Sequence, residues 1–166
     1  MRVLVFDTNA LMDCWRYWYP IDRFEGFWTA VADACAEGRA IIPFEVADEL
    51  GGGRGGTLSS WVQESKSKIC TESGADVQRL VGQLVTRHDG FGANAAGGKN
   101  WADPFVVAHA VLRKTPQVEP IVITEESMAA RAAPPKIPNV CVAEGIQCKR
   151  SQLVVKHLDL RFTLVV

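Results

Sequence analysis

The chain has 166 residues, 48% of them hydrophobic and 22% charged, which suits one globular domain whose core stands without disulfides or metal. A net charge of −1 neither advertises nor forbids nucleic-acid binding, since a local basic patch suffices for it. The absence of any run of about 18 apolar residues argues against a membrane span, the short apolar stretch after Arg2 argues against a signal peptide, and the cysteines, without a CxxC pair, read as free thiols of a cytoplasmic protein.

Val3-Leu4-Val5-Phe6 is a short apolar run rich in β-formers and reads as a strand buried on both faces. It stops at Asp7, and Thr8 or Asn9 can cap the helix that follows. Pro20 ends that segment. Phe24 to Glu37 carries apolar residues at helical spacing and stops at Gly38, a C-terminal cap. Ala40-Ile41-Ile42 is a second buried strand, followed by a brief helix from Phe44 to Leu50. A glycine-rich loop, Gly51 to Gly56, is broken only by Arg54. Helices are expected over Thr57 to Ile69 and Asp76 to Arg87, then a second glycine-rich loop from Asp89 to Asn100. Asp103-Pro104 opens a helix through Leu112, since proline is favoured in a first helical turn. Ile121 to Thr124 is a third strand and Val140-Cys141-Val142 reads as a fourth. Gln152 to Leu158 reads as a late helix, and Phe162 to Val166 as a final strand or tail. Alternating strands and helices indicate an α/β fold with a parallel sheet, whose ligands bind beyond the carboxyl ends of the strands.

Acids collect at that edge. Asp7 ends the first strand; Glu45, Asp48 and Glu49 lie just beyond the second; Asp103 opens a helix after a glycine loop; Glu125 and Glu126 end the third. Singly, most have a plain reading: a helix cap for Asp103, a solvated helix face for Glu45, Asp48 and Glu49. Glu125 and Glu126 are adjacent and cannot both point one way, so at most one is a ligand. Together the acids need neutralising, because like charges at about 4 Å repel by roughly 4 kcal/mol per pair at an effective dielectric near 20. Shared protons, basic partners or a hard divalent cation would serve, and Mg²⁺ suits a few carboxylates plus a phosphate. The scattered histidines, none at ligand spacing from a cysteine, argue against zinc. His109, among Val106, Val107, Ala108 and Ala110, reads as structural.

Four stretches, in order, resemble the PIN domain, the nuclease fold of virulence-associated protein C (VapC) toxins and related RNA-processing enzymes. They are FDTNAL (6–11), VADEL (46–50), WADPFVVAHA (101–110) and VITEES (122–127). An aromatic block, WRYWYPIDRFEGFW (15–28), and a late KIPNVC (136–141) resemble an uncharacterised PIN subfamily. The resemblance spans nearly the whole chain. It implies a single three-layer domain over 1–166, with a central, mostly parallel sheet of four to five strands flanked by helices.

It also implies a metal-dependent endoribonuclease, the toxin of a type II toxin–antitoxin system, using Mg²⁺ or Mn²⁺. By the same resemblance Asp7, Glu49, Asp103 and Glu126 are the catalytic acids, and Asp7, Asp103 and Glu126 are metal ligands. Asn9, Thr124, Glu45, Glu125 and Ser127 support them. Implied partners are RNA, an antitoxin protein and a second copy of the chain, with no membrane. Arg16, Arg23, Arg54 and Lys99 are candidate phosphate contacts. Trp15, Trp18 and Tyr19 are candidates to stack on unpaired bases, against core packing for Trp28 and Trp61. Two alternatives stand beside the toxin: an RNA-processing nuclease without antitoxin, and a catalytically silent binding module on the same fold. A phosphatase of the haloacid-dehalogenase type also starts with a strand ending in Asp. It requires Asp-x-Asp-x-Thr, where this chain has Asn9 and Leu11.

Overall fold

The computed structural model describes residues 1–51, 56–92, 101–131, 133–158 and 160. Strands β1 (Arg2–Phe6), β2 (Ala40–Pro43), β3 (Cys70–Thr71), β4 (Glu119–Ile123) and β5 (Gln147–Lys149) form one sheet in the order β3-β2-β1-β4-β5. Every neighbouring pair is parallel. The three predicted apolar strands are the three central ones. Val3 to Phe6, Ala40 to Ile42 and Ile121 to Ile123 are all buried, as parallel strands covered on both faces must be.

The helices are α1 (Thr8–Asp13), α2 (Glu25–Ala36), α3 (Phe44–Gly51), α4 (Thr57–Ile69), α5 (Ala75–Arg87), α6 (Asp103–Arg113), α7 (Ile137–Ala143) and α8 (Val154–His157). From β1 the chain steps outward to β2 and β3, then crosses back to β4 and on to β5. Right-handed crossovers in opposite directions put α2 and α4 on one face and α6 and α7 on the other. The packing agrees: α2 touches α4 and β2, whereas α6 touches α5, α7 and the central strands. The result is a three-layer α/β architecture. Helix α6 is sandwiched, with Val106 through Ala110 all buried. Among the described residues no helix is long and apolar enough to cross a membrane.

Val140-Cys141-Val142, expected as a strand, lies in α7. Its β-branched residues suggested a strand, but Ile137, Val140 and Cys141 recur at helical spacing and are buried, while Val142 is 66% exposed. Pro138 sits in the first turn of α7, and the Asn139 side-chain oxygen accepts from the backbone N–H of Lys136 at 3.1 Å and of Ala129 at 2.8 Å. The sheet's two edge strands, β3 and β5, had no sequence signal of their own. The strand or tail at Phe162 to Val166 falls outside the described residues.

Helix α1 runs on into a π-helical turn, Cys14–Trp18, that carries the first rings of the aromatic block. Tyr19 stacks on Phe27 with ring centroids 4.0 Å apart, and its carbonyl accepts from Trp28 Nε1 at 2.7 Å. Trp28 is buried and meets Trp61 edge-on. Trp15 packs so tightly on Gly56 that a Cβ there would sit 3.1 Å from its ring, and Gly56 has φ +50, a conformation that favours glycine.

Candidate functional site

The order β3-β2-β1-β4-β5 reverses direction between β1 and β4, and the crevice beyond the carboxyl ends of these two strands is where open α/β sheets bind ligands. Asp7 and Thr124 are the residues that follow these strands. The Asp7 N–H donates to the Ile123 carbonyl at 3.0 Å, and the Thr124 hydroxyl donates to Asp7 Oδ2 at 2.8 Å. The same Thr124 oxygen accepts from the Glu126 N–H at 3.1 Å, so one hydroxyl joins two of the predicted acids.

Glu49 lies on α3, which begins directly after β2. The Thr8 hydroxyl donates to its Oε2 and the Ala102 N–H to its Oε1 at 3.0 Å, which ties α3 to the starts of α1 and α6. Asp103 is the first helical residue of α6; Ala102 occupies the cap position, and no side chain caps the helix. Glu126 Oε2 accepts from the Ile137 N–H at 3.0 Å, at the start of α7.

Asp7 is 2% and Asp103 8% exposed. Among the described residues no lysine or arginine pairs with Asp7, Glu49, Asp103 or Glu126. Burial pushes Asp7 up to about 7, and Glu126 and Glu49 push the same way against the opposing Thr124 hydroxyl. Burial pushes Asp103 up to about 9, with Asp7, Glu126 and Glu49 adding to it. The four acids therefore act on one another. They form an open cluster: among the described residues no three His, Cys, Asp or Glu side chains lie close enough to hold a metal ion as they stand. The donor set is all carboxylate oxygen, and among the described residues the two buried acids have no basic partner; oxygen donors of this kind suit Mg²⁺ or Mn²⁺.

The remaining candidates fall elsewhere. Glu125 turns away from the cluster: its Oε1 accepts from the Ser151 N–H at 2.7 Å, and its Oε2 pairs with Arg150 at 3.3 Å. Ser127 is held by Arg150 Nη2 at 3.0 Å. Asn9 is exposed on α1 and makes no side-chain hydrogen bond among the described residues. Arg16 is exposed over the Trp15 ring, and Arg23 faces Asp22 at 3.8 Å. Arg54 and Lys99 lie outside the described residues. Of the stacking candidates, Trp15 and Tyr19 are used in packing and Trp18 is exposed, as are Tyr17 and Phe24 of the same block.

Glu45 belongs to a second polar group that the sequence did not reveal. Ser73 Oγ donates to Glu45 Oε2 at 2.8 Å and lies 3.1 Å from His109 Nε2. Glu45 and His109 are buried. Burial, then the Arg113 charge, pushes His109 down to about 4, so the ring is neutral at ordinary pH. With its proton on Nε2, the ring donates to Ser73, completing a His109–Ser73–Glu45 chain. A cavity of about 570 Å³ at the amino-terminal edge of the sheet, lined by Met1, Arg2, Arg39, Glu119 and His157 among others, contains none of the acids.

Over residues 4–162 the chain matches a family model described as a domain of unknown function (DUF4411). No curated protein and no solved structure matches it.

Proposed function

The chain belongs to the DUF4411 family, and from its acid cluster we propose that it is a divalent-cation-dependent phosphodiesterase that cleaves RNA. One observation supports the reading: Asp7 and Asp103 are each buried, the charge of Asp7 raises Asp103, and neither has a basic partner among the described residues. Such a pair is costly unless a cation is its normal companion. RNA as the substrate rests on the PIN-like resemblance of the four motifs.

Asp7, Asp103 and Glu126 would hold the ion, with Glu49 beside them. When bound, Mg²⁺ or Mn²⁺ supplies a Lewis acid that acidifies water and neutralises charge on the phosphoryl group. The chain's own groups set the stage. The Thr124 hydroxyl fixes the Asp7 carboxylate and the Glu126 backbone with one oxygen. Glu49 locks the starts of α1 and α6, so Asp103 is presented at a fixed depth. Glu125 is bonded to Arg150, whereas the charge of Glu126 raises Asp7, which supports Glu126 as the acid that would take part.

The toxin role, with an antitoxin partner, a second copy of the chain and a cytoplasmic setting, is part of the proposal; the five free cysteines suit a reducing compartment. Growth arrest on expression distinguishes the toxin from an RNA-processing nuclease. The silent binding module is the second reading, favoured by the openness of the acid cluster. The test is Mn²⁺ titration by calorimetry alongside cleavage of a single-stranded RNA, for the wild type and Asp7→Asn. Metal binding and cleavage that both vanish in the variant support the enzyme. RNA binding without cleavage in Mn²⁺ supports the module. Cleavage retained by Asp7→Asn removes the mechanism.

A further inference from the structure

Helix α7 is joined to β5 by a short turn. The Ile146 N–H donates to the Cys141 carbonyl at 2.8 Å, and Gly145 takes φ +67 there, a conformation that favours glycine. The turn folds β5 back against α7. Ile146 is buried, Gln147 exposed and Cys148 half-buried, the alternation of a strand whose Ile146 and Cys148 share the inward face. Cys148 thereby meets Cys141, which is fully buried on α7, and the two thiols hydrogen-bond to each other. Solvent reaches the pair through Cys148. With Pro138 of α7 it borders a cavity of about 310 Å³, whose walls also include Thr124 and Glu126. The bond from Cys141 holds Cys148 below the ordinary thiol range, against burial and the charges of Asp7 and Glu126. Elsewhere burial pushes Cys35 up to about 12 and Cys70 up to about 11.

We propose that Cys141 and Cys148 are an oxidant-sensing thiol pair, in which a hydroperoxide entering the cavity oxidises Cys148 and Cys141 resolves the product into a reversible disulfide. Neither a metal nor phosphodiesterase activity enters this chemistry. The Cys148 thiolate attacks one oxygen of hydrogen peroxide, the O–O bond breaks, and hydroxide leaves and takes up the proton that Cys148 released. Cys148 is then a sulfenic acid. The Cys141 sulfur attacks the Cys148 sulfur, the S–S bond forms, the S–O bond breaks, and the departing hydroxide takes the Cys141 proton. The two thiols have lost two electrons and two protons, and the peroxide has become two waters. Burial makes Cys141 a poor first target and a good resolving thiol, because the Cys148 sulfur reaches it where solvent does not. Sulfurs already in hydrogen-bonding contact need only draw together to about 2.0 Å to close the bridge. In a reducing compartment such a bridge is transient, the behaviour of a sensor rather than of a structural staple. The Ile137 N–H at the start of α7 holds Glu126, so the bridge fastens to the sheet the helix that supports the acid crevice.

Reduced wild-type protein in EDTA, treated with a slight molar excess of hydrogen peroxide, alkylated and mapped by mass spectrometry without reduction, tests this. Expected is a Cys141–Cys148 cross-link within one chain, lighter by two hydrogens and reversed by dithiothreitol. It should form at least about tenfold faster than any oxidation of Cys35 or Cys70, which are half-buried in the same molecule and serve as internal controls. In Cys141→Ala the reaction should stop at a Cys148 sulfenic acid, captured by dimedone. In Cys148→Ser, Cys141 should still be alkylated once the chain is unfolded after treatment. Circular dichroism checks that both variants fold, and the wild-type map decides by itself if either does not. Oxidation of Cys35 or Cys70 ahead of Cys148 overturns the proposal. So does Cys148 carried to the sulfinic acid while Cys141 stays reduced, or a Cys148 bridge formed between two chains instead of within one.

Discussion

Replacing Asp103 by Asn should make the metal-free protein more stable. In the folded chain Asp103 keeps its proton up to about 9, against 3.8 for an ordinary aspartate. Between those values the folded state binds a proton that the unfolded chain has released, so stability falls as pH rises through this window, by about 1.4 kcal/mol per pH unit. At pH 7 the accumulated cost is about 4 kcal/mol, and at pH 5 less than half of that. Asparagine keeps the side-chain shape and is neutral without taking up a proton, so it escapes this cost. After allowing about 1 to 2 kcal/mol for its amide N–H groups, a gain of about 2 to 3 kcal/mol remains at neutrality. For a chain of this size that is a rise in Tm of roughly 5 to 10 °C. Thermal unfolding followed by circular dichroism in EDTA, at pH 5 and pH 8, measures it. The variant should exceed the wild type by more at pH 8 than at pH 5, and Mn²⁺ should raise the Tm of the wild type but scarcely that of the variant. A variant less stable at both pH values, or a gap that ignores pH, would refute the picture of a buried acid waiting for a cation.

Thr124→Val removes the hydroxyl that lowers Asp7 and braces Glu126, so Asp7 should titrate above about 7 and Mn²⁺-dependent cleavage should fall by about tenfold, with the acid limb of the pH–rate profile moved upward. His109 is held near 4 in the folded state, against 6.5 unfolded, so it costs nothing above pH 6.5 and removes up to about 3 kcal/mol as pH falls towards 4. In urea titrations His109→Gln should flatten that acid-side loss, and an unchanged slope would count against the buried neutral ring. Val142→Lys, on the exposed side of α7, should change stability by no more than about 0.5 kcal/mol, whereas Cys141→Lys should unfold the chain at ordinary temperature. Equal damage from the two would return this segment to a buried strand.

What could be read from the sequence was what the chain states locally. Val3–Phe6, Ala40–Ile42 and Ile121–Ile123 are apolar on both faces because each lies inside the sheet, and their position in the core is written in composition alone. Asp103–Pro104 declared the start of α6 for the same kind of reason. Cys70–Thr71 and Gln147–Lys149 are strands because a neighbour offers them hydrogen bonds, and two or three half-exposed residues carry no periodicity to betray that. The chain of His109, Ser73 and Glu45 joins residues on three separate segments, so no window of sequence contains it. The bonding of Glu125 to Arg150 and Ser151 was equally out of reach, because only the β4–β5 pairing brings those residues beside it. Val140–Val142 misled because valine favours strands on average, while the proline and asparagine just before it favour a helix start here.

The Thr124–Asp7 hydrogen bond joins positions separated by 117 residues. During translation the first strand therefore leaves the ribosome long before its central partner exists, and β2 is the only neighbour it can recruit. Contacts this distant are slow to close and favour a late, concerted step over gradual assembly. The crevice cannot be completed until most of the message has been read, so a prematurely terminated product lacks the Asp7–Thr124 junction on which it is built.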